Sequence, residues 1–340
     1  MAAKREFRCG VVGYGGAFNM GRAHLTSMRK NPGMVAVAVC ELDAARREVA
    51  EQDFPGIQTY GRLGDMLRHA DLDLVAVITP HNTHAKLAVQ CLDAKVGVVV
   101  EKPMAVTSAE VTAMMAMAKR RGVMLSTFHN RRWDGDFILL RDLLCSEKVI
   151  GRVFRIEAGF GGYGQQGNWW RSDKTVSGGG IYDWGAHFTD WILNLVPEPI
   201  AWVSGYQVKN EEWAQAYTNE DHTEYFVKFA GGCVANLMMS NLSMSVRPKW
   251  RILGQLGSIE AVEGGEYLVK TLVNGRQMQA RIKPKDSSWD AYYENVCRHL
   301  QGRAKLVITA QSGARVIGVL EAANLSALRQ GGAPVAPAFK

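Results

Sequence analysis

Over its first 128 residues the chain alternates short apolar runs with longer amphipathic stretches. The runs "FRCGVVG", "VAVAVCE", "LDLVAVITP", "VGVVVEKP" and "VMLSTFH" are brief, rich in valine and bounded by polar or glycine punctuation. Between them, "THAKLAVQCLDAK" and "SAEVTAMMAMAKRRG" space their apolar residues as helices do. Strands apolar on both faces, taking turns with helices, predict a parallel sheet covered on both sides. From about residue 151 the strands lengthen and alternate, as in "GRVFRIEAGF", "PIAWVSGYQV", "TEYFVKFAGGCVANLMMS", "PKWRILGQLGSIEAV" and "EYLVKTLVNGRQMQARI". Alternation joined by turns such as "AGG" and "NGR" predicts an antiparallel sheet with one covered face. Helical spacing returns in "SWDAYYENVCRHL" and "AQSGARVIGVLEAANLSALRQ". The expectation is an α/β domain over residues 1–128 and an α+β domain over 129–340, with C-terminal helices able to pack back on the first.

Composition narrows the function classes. Of 340 residues, 47% are hydrophobic and 21% charged, which suits a globular chain with sizeable cores. The net charge of +7 is spread along the sequence, whereas a nucleic-acid surface needs a clustered footprint. No nucleic-acid partner is expected, and a basic pocket for an anionic cofactor is the better use of the excess. The six cysteines, at 9, 40, 91, 145, 233 and 297, form no C-x-x-C pair and read as reduced core residues. No apolar signal precedes the first strand and no apolar run reaches the length of a membrane span. A cytoplasmic protein with no membrane association is expected.

"GVVGYGGAFNMGRAH" follows the first strand and opens a helix. Glycines there allow a tight turn and let backbone N–H groups approach a pyrophosphate at a helix N-terminus. A G-x-G-x-x-G pattern would use Gly13, Gly15 and position 18, but position 18 is Phe and the next glycine is Gly21, so the loop is lengthened. The candidate cofactor contacts are Gly13, Tyr14, Gly15, Ala17, Phe18, Asn19 and Met20. A glycine turn without a ligand competes with this reading until the second strand is considered. That strand ends at Glu41, where an acid receives the adenosine ribose hydroxyls and repels a 2′-phosphate. NAD is therefore expected over NADP, with Arg46 and Arg47 close enough to soften the preference.

The segment "SGGGIYDWGAHFTDW" places Asp183, His187 and Asp190 at i, i+4 and i+7, on one face of a helix, directly after three glycines. With "ITPHNTHAKLA", "VVVEKPMAVT" and "HNRRWDGDF", it resembles the glucose–fructose oxidoreductase, inositol dehydrogenase and rhizopine-catabolism family, Gfo/Idh/MocA. The resemblance covers nearly the whole chain. It implies an N-terminal Rossmann domain, an open-faced C-terminal sheet and a nicotinamide cofactor. It implies Lys102 as a catalytic-site lysine, with Asp183 and His187 completing a triad. It implies Thr79, Pro80, His81 and His84 along the cofactor, and Glu101 beside the nicotinamide ribose. Dimers or tetramers are also implied, and a sheet with one uncovered face fits self-association.

Oxidising a secondary alcohol requires a base and a positive group for the developing oxyanion. Histidine titrates near neutrality and suits the first role, and a lysine desolvated beside an oxidised nicotinamide can share or relay the same proton. The glycines would let substrate or nicotinamide lie against bare backbone. Competing readings make Asp183 and His187 a surface pair, or metal ligands completed by His81, His84 or Asp190. The lysine makes a metal superfluous, and none is expected. Tyr163, Trp169, Trp170 and Arg171, with Asn130 and Arg131, are candidates to hold a hydroxyl-rich ring, although the tryptophans are equally able to serve as packing. The expected activity is an NAD(P)-dependent dehydrogenase of a sugar, sugar derivative or cyclitol. NAD-assisted glycoside cleavage, by transient oxidation and elimination, is the alternative enzyme. A cofactor-sensing regulator is the alternative outside enzymes, and it would have lost the Lys, Asp and His that stand here.

Overall fold

The computed structural model describes residues 6–245 and 247–340. The chain divides into two compact units, one of Met1–Asn130 with Trp289–Ala314, the other of Arg131–Ser288 with Arg315–Lys340.

The first unit holds strands β1 (Phe7–Val12), β2 (Met34–Cys40), β3 (Gln58–Tyr60), β4 (Leu74–Val77), β5 (Gly97–Val100) and β6 (Leu125–Thr127). Helices α1 (Met20–Arg29), α2 (Ala44–Asp53), α3 (Leu63–His69), α4 (His84–Asp93) and α5 (Ser108–Arg121) connect them. The strands pair in parallel in the order β3-β2-β1-β4-β5-β6, the doubly wound order of dinucleotide-binding sheets. Each of the five apolar runs is a strand, and β4 and β5 are buried at every position, as a sheet covered on both sides requires. The pattern missed β3, a three-residue edge strand with one residue exposed and no apolar run to announce it. Local signals bound α5 clearly. Thr107 and Glu110 form a reciprocal capping box at its start, and Gly122 closes it in the left-handed region.

The second unit holds β7 (Val153–Gly161), β8 (Ile200–Val208), β9 (His222–Phe229), β10 (Val234–Ser240), β11 (Trp250–Gly254), β12 (Gly257–Ala261), β13 (Tyr267–Val273) and β14 (Arg276–Ile282), with helices α6 (Gly135–Arg141), α7 (Lys174–Ser177) and α8 (Trp184–Leu195). The sheet order is β14-β13-β12-β11-β7-β10-β9-β8, antiparallel except where β10 meets β7. Alternation along β9 buries Thr223, Tyr225, Val227 and Phe229 and leaves His222, Glu224, Phe226 and Lys228 partly open. The covered face lies beneath α8, whose Phe188 and Trp191 pack on Trp250.

Further along, α9 (Ala291–Leu300) belongs to the first unit and α10 (Ala310–Ala327) contains the division. Tyr292 and Tyr293 of α9 are fully buried against Phe128, and Ser126 Oγ stands 2.8 Å from the Tyr292 hydroxyl. Lys30 and Ser27 of α1 both bond Asp290 just before α9. Residues 129–340 therefore do not fold as one contiguous piece. Among the described residues no helix is long and apolar enough to cross a membrane.

Candidate functional site

Because β1, β4 and β5 run parallel, their carboxyl ends share one edge of the first sheet. Gly13 leaves β1 at φ +98°, and a Cβ there would stand 2.0 Å from the Ile78 carbonyl oxygen. Gly21 lies in α1 with a virtual Cβ 2.7 Å from the Tyr14 ring, so it brings the helix down onto the turn. Gly15 has nothing within 4 Å of its virtual Cβ. The N-terminus of α1 has no side-chain cap, no acid in its first turn, and Asn19 in the left-handed region at its cap. An uncapped helix start beneath an unobstructed glycine fits a dinucleotide pyrophosphate. Ala17 and Phe18 are exposed on the lengthened loop.

Two side chains depart from the simplest expectation. Tyr14 turns inward, buried, and donates from its hydroxyl to Asp53 at 2.7 Å. Glu41 does stand at the end of β2, but its carboxylate accepts the Tyr14 N–H at 2.6 Å and the Asp43 N–H at 3.0 Å. It braces the turn itself. Arg46 reaches over the same loop, donating to the Tyr14 carbonyl at 2.9 Å.

At the ends of β4 and β5 one imidazole ties two loops together. His84 lies with Nδ1 2.8 Å from the Pro103 carbonyl and Nε2 2.8 Å from the Thr79 carbonyl. Burial pushes its pKa down, partly opposed by those two carbonyls. The ring thereby holds the Thr79 turn against Pro103. Thr83 bonds the Pro80 carbonyl at 2.7 Å, and His81 is buried in the same turn. Lys102 and Glu101 follow β5, with the Glu101 carboxylate accepting the Lys102 N–H at 2.8 Å. Burial alone would raise the Glu101 carboxyl, but the hydrogen bond and charge of His24, with the Lys102 charge after them, outweigh it and hold the group below its ordinary value. Asn130, at the limit of this unit, is buried.

In the second unit the acid–histidine–acid face separates. Asp183 is the N-cap of α8, outside its regular turns, and pairs with Arg171 at 2.8 Å. His187 is buried in α8 between the rings of Trp184 and Trp191. Asp190 is buried in a two-pronged pair with Arg132, at 2.8 and 2.6 Å, and is thereby a structural residue. Arg131 lies over the Trp184 ring at 4.7 Å and bonds Asp134. Trp169 and Trp170 both face the Arg171 guanidinium, at 5.4 and 5.0 Å, so these aromatics back the cation that holds Asp183. Tyr163 is exposed, its ring 5.7 Å from Trp213.

Within the glycine run, a protein carboxylate packs on the backbone. The carboxylate of Glu220 stands 3.0 Å from a virtual Cβ on Gly179, whose φ is +121°. Glu220 also accepts the Ile181 N–H at 3.1 Å and pairs with Lys174 at 3.2 Å. Gly179 is thus a glycine because a buried protein carboxylate packs on it and because its backbone is left-handed. Sequence reasoning passed over Glu220, which is one charge in a polar stretch with nothing local to mark it. Among the described residues no group of three or more His, Cys, Asp or Glu is placed to hold a metal ion.

Two family profiles match this chain. "Oxidoreductase family, NAD-binding Rossmann fold" covers residues 7–129, and "GFO/IDH/MocA C-terminal domain" covers 139–260. Among relatives, scyllo-inositol 2-dehydrogenase (NADP(+)) of Bacillus subtilis is 25% identical, over 93% of this chain and 92% of its own. D-apiose dehydrogenase of Paraburkholderia graminis is 33% identical, over 38% of this chain and 34% of its own. Among solved structures, an NAD-binding protein from Listeria innocua superposes with a TM-score of 0.84 at 26% identity, over 98% and 97% of the two chains. The WlbA dehydrogenase from Bordetella pertussis, solved with NADH and UDP-GlcNAcA, shares the fold at a TM-score of 0.82 and 21% identity, over 99% and 100%. Both profiles, the doubly wound first sheet and the mostly antiparallel second one agree: the chain belongs to the Gfo/Idh/MocA family of oxidoreductases.

Proposed function

We propose that the chain is an NAD-dependent dehydrogenase acting on a secondary hydroxyl of a sugar, sugar derivative or cyclitol. The observation that carries this reading is the carboxyl edge of the parallel sheet. The glycine loop after β1, Thr79–Pro80 after β4 and Glu101–Lys102 after β5 all emerge there, where ligands of open α/β sheets bind. The bound nicotinamide supplies the hydride acceptor. Gly13, Gly15 and the start of α1 hold the pyrophosphate, and Glu41 disfavours a 2′-phosphate at the ribose. His187 takes the hydroxyl proton as base, and the Lys102 ammonium stabilises the developing oxyanion. Asp183, steadied by Arg171, orients the histidine or a neighbouring hydroxyl. Tyr163 and Trp170 offer faces for a ring, and Asn130, Arg131 and Arg171 offer donors for its hydroxyls. The relatives named for inositol and apiose support a polyhydroxylated substrate.

The test is a panel of cyclitols, sugars and glycosides, following NADH formation and aglycone release together. NADH formation is expected; aglycone release without net NADH would replace the reading with redox-assisted glycoside cleavage. Lys102→Met and His187→Ala should each lower kcat by roughly 10²–10⁴ while NADH binding survives. The rising limb of kcat/KM between about pH 6 and 8 should vanish in His187→Ala. Near-normal turnover in that variant, with an unchanged profile, would refute the assigned roles. The open face of the second sheet, with exposed Tyr206 beside a groove lined by His222, Met238 and Met244, supports assembly into dimers or tetramers. A monomer in light scattering at micromolar concentration would contradict that.

A further inference from the structure

Behind Lys102 three polar side chains stand in line within the first unit. The hydroxyl of Tyr293, on α9, lies 2.6 Å from Nδ1 of His24, on α1. Nε2 of the same ring lies 3.1 Å from Oε1 of Glu101, and the other Glu101 oxygen accepts the Lys102 N–H at 2.8 Å. His24 and Tyr293 are fully buried and the Glu101 side chain is 12% exposed. Phe128 packs on the imidazole with ring centres 4.1 Å apart. Burying a carboxylate is costly, and an apolar residue at position 24 would secure α1 to the sheet without that cost. The line is better explained by what it holds.

Its proton order follows from donor chemistry. An ionised carboxylate only accepts, so Nε2 of His24 carries a hydrogen toward Glu101. Where the ring is neutral, Nδ1 then accepts and the Tyr293 hydroxyl donates to it; an imidazolium would donate from both nitrogens, and Glu101 would still accept from Nε2. Burial pushes the Tyr293 phenol well above its ordinary value, with Tyr292, Cys9 and Glu101 adding to the effect, so this hydroxyl keeps its hydrogen.

We propose that His24, braced by Tyr293, is a positioning residue for the oxidoreductase reaction. It locks the Glu101 carboxylate in the orientation that holds the Lys102 peptide, and so sets both the nicotinamide end of the cofactor site and the root of the lysine. The effect on turnover rests on the dehydrogenase reading above, whereas the effect on cofactor needs no substrate.

The test uses the full chain and two probes, NADH and ADP, which keeps the adenosine and the pyrophosphate but lacks the nicotinamide and its ribose. His24→Leu removes the donor at similar volume, His24→Gln keeps an amide N–H within reach of Glu101, and Tyr293→Phe removes one oxygen. His24→Leu should weaken NADH about ten-fold or more, the scale of one lost charge-assisted hydrogen bond, with ADP changed less than about two-fold. His24→Gln should recover most of that loss, and Tyr293→Phe should show about three-fold of it. Ring ¹⁵N spectra, with the His24 signals assigned by their absence in His24→Gln, should read the Nε2–H tautomer. On an oxidised substrate, kcat should fall about ten- to a hundred-fold in His24→Leu with the KM of the polyol held. Equal losses for NADH and ADP, no recovery in His24→Gln, or an Nδ1–H tautomer would each overturn the proposal. If the wild type oxidises no polyol, the dehydrogenase reading falls and the ratio of the two affinities still decides this one. If His24→Leu does not fold, Tyr293→Phe decides, and an unchanged ratio in it overturns the role.

Discussion

Asp190 offers a sharp test of what the second unit does with its acids. Its carboxylate meets Arg132 through two hydrogen bonds, with side chains only 3% and 9% exposed. Asp190→Ala strips a buried guanidinium of this counter-charge, a change that costs about 3–5 kcal/mol. In a unit of 150–250 residues, 1 kcal/mol moves Tm by roughly 2–4 °C, so a fall of roughly 6–20 °C is expected. Replacing both partners, as in Arg132→Leu with Asp190→Leu, removes the stranded charge and should return most of that loss, since apolar substitutes for a buried pair are often neutral. The assay is thermal unfolding followed by tryptophan fluorescence, with ADP-ribose titrated in parallel to show that the cofactor half still binds. A Tm within about 2 °C of wild type in Asp190→Ala, together with a hundred-fold loss of kcat, would refute the structural assignment and return Asp190 to the chemistry.

Three further outcomes follow from the first unit. Gly15→Ala meets open space, so it should leave Tm unchanged while weakening NADH and ADP-ribose alike; unchanged affinity would mean that no pyrophosphate passes that glycine. Wild-type kinetics should favour NAD, and Glu41→Ala should raise the KM for NAD with little loss of kcat; a strong native preference for NADP would move ribose recognition to Arg46. The Glu101 carboxyl is held below its ordinary value of 4.5, so the stability it contributes is complete above that value and is lost as pH falls below it. Glu101→Gln should therefore flatten the acid limb of a stability–pH curve measured by circular dichroism, and an unchanged limb would show that His24 and Lys102 do not favour the charged form.

Much of this molecule is determined by local pattern. Apolar valine runs separated by amphipathic stretches are sufficient for the parallel sheet, because a strand buried on both faces has no other composition open to it. Alternation along β9 is sufficient for a sheet with one covered face. Gly13 and Gly21 were legible because a turn and a helix packed on it exclude a Cβ, and the order of the four motifs carried the family. What the sequence does not display is partnership. Asp190 and His187 look alike as helix-face candidates, yet Arg132, 58 residues earlier, takes the first into an ion pair. Glu220 packs on Gly179 and Gly180, a contact nothing local in the sequence displays. His24 finds Glu101 across 77 residues and Tyr293 across 269, because α9 returns to the first unit. Periodicity reports which face of an element is apolar, since that depends on neighbours three or four positions away. Which charge meets which depends on how distant elements pack, and only the folded chain settles that.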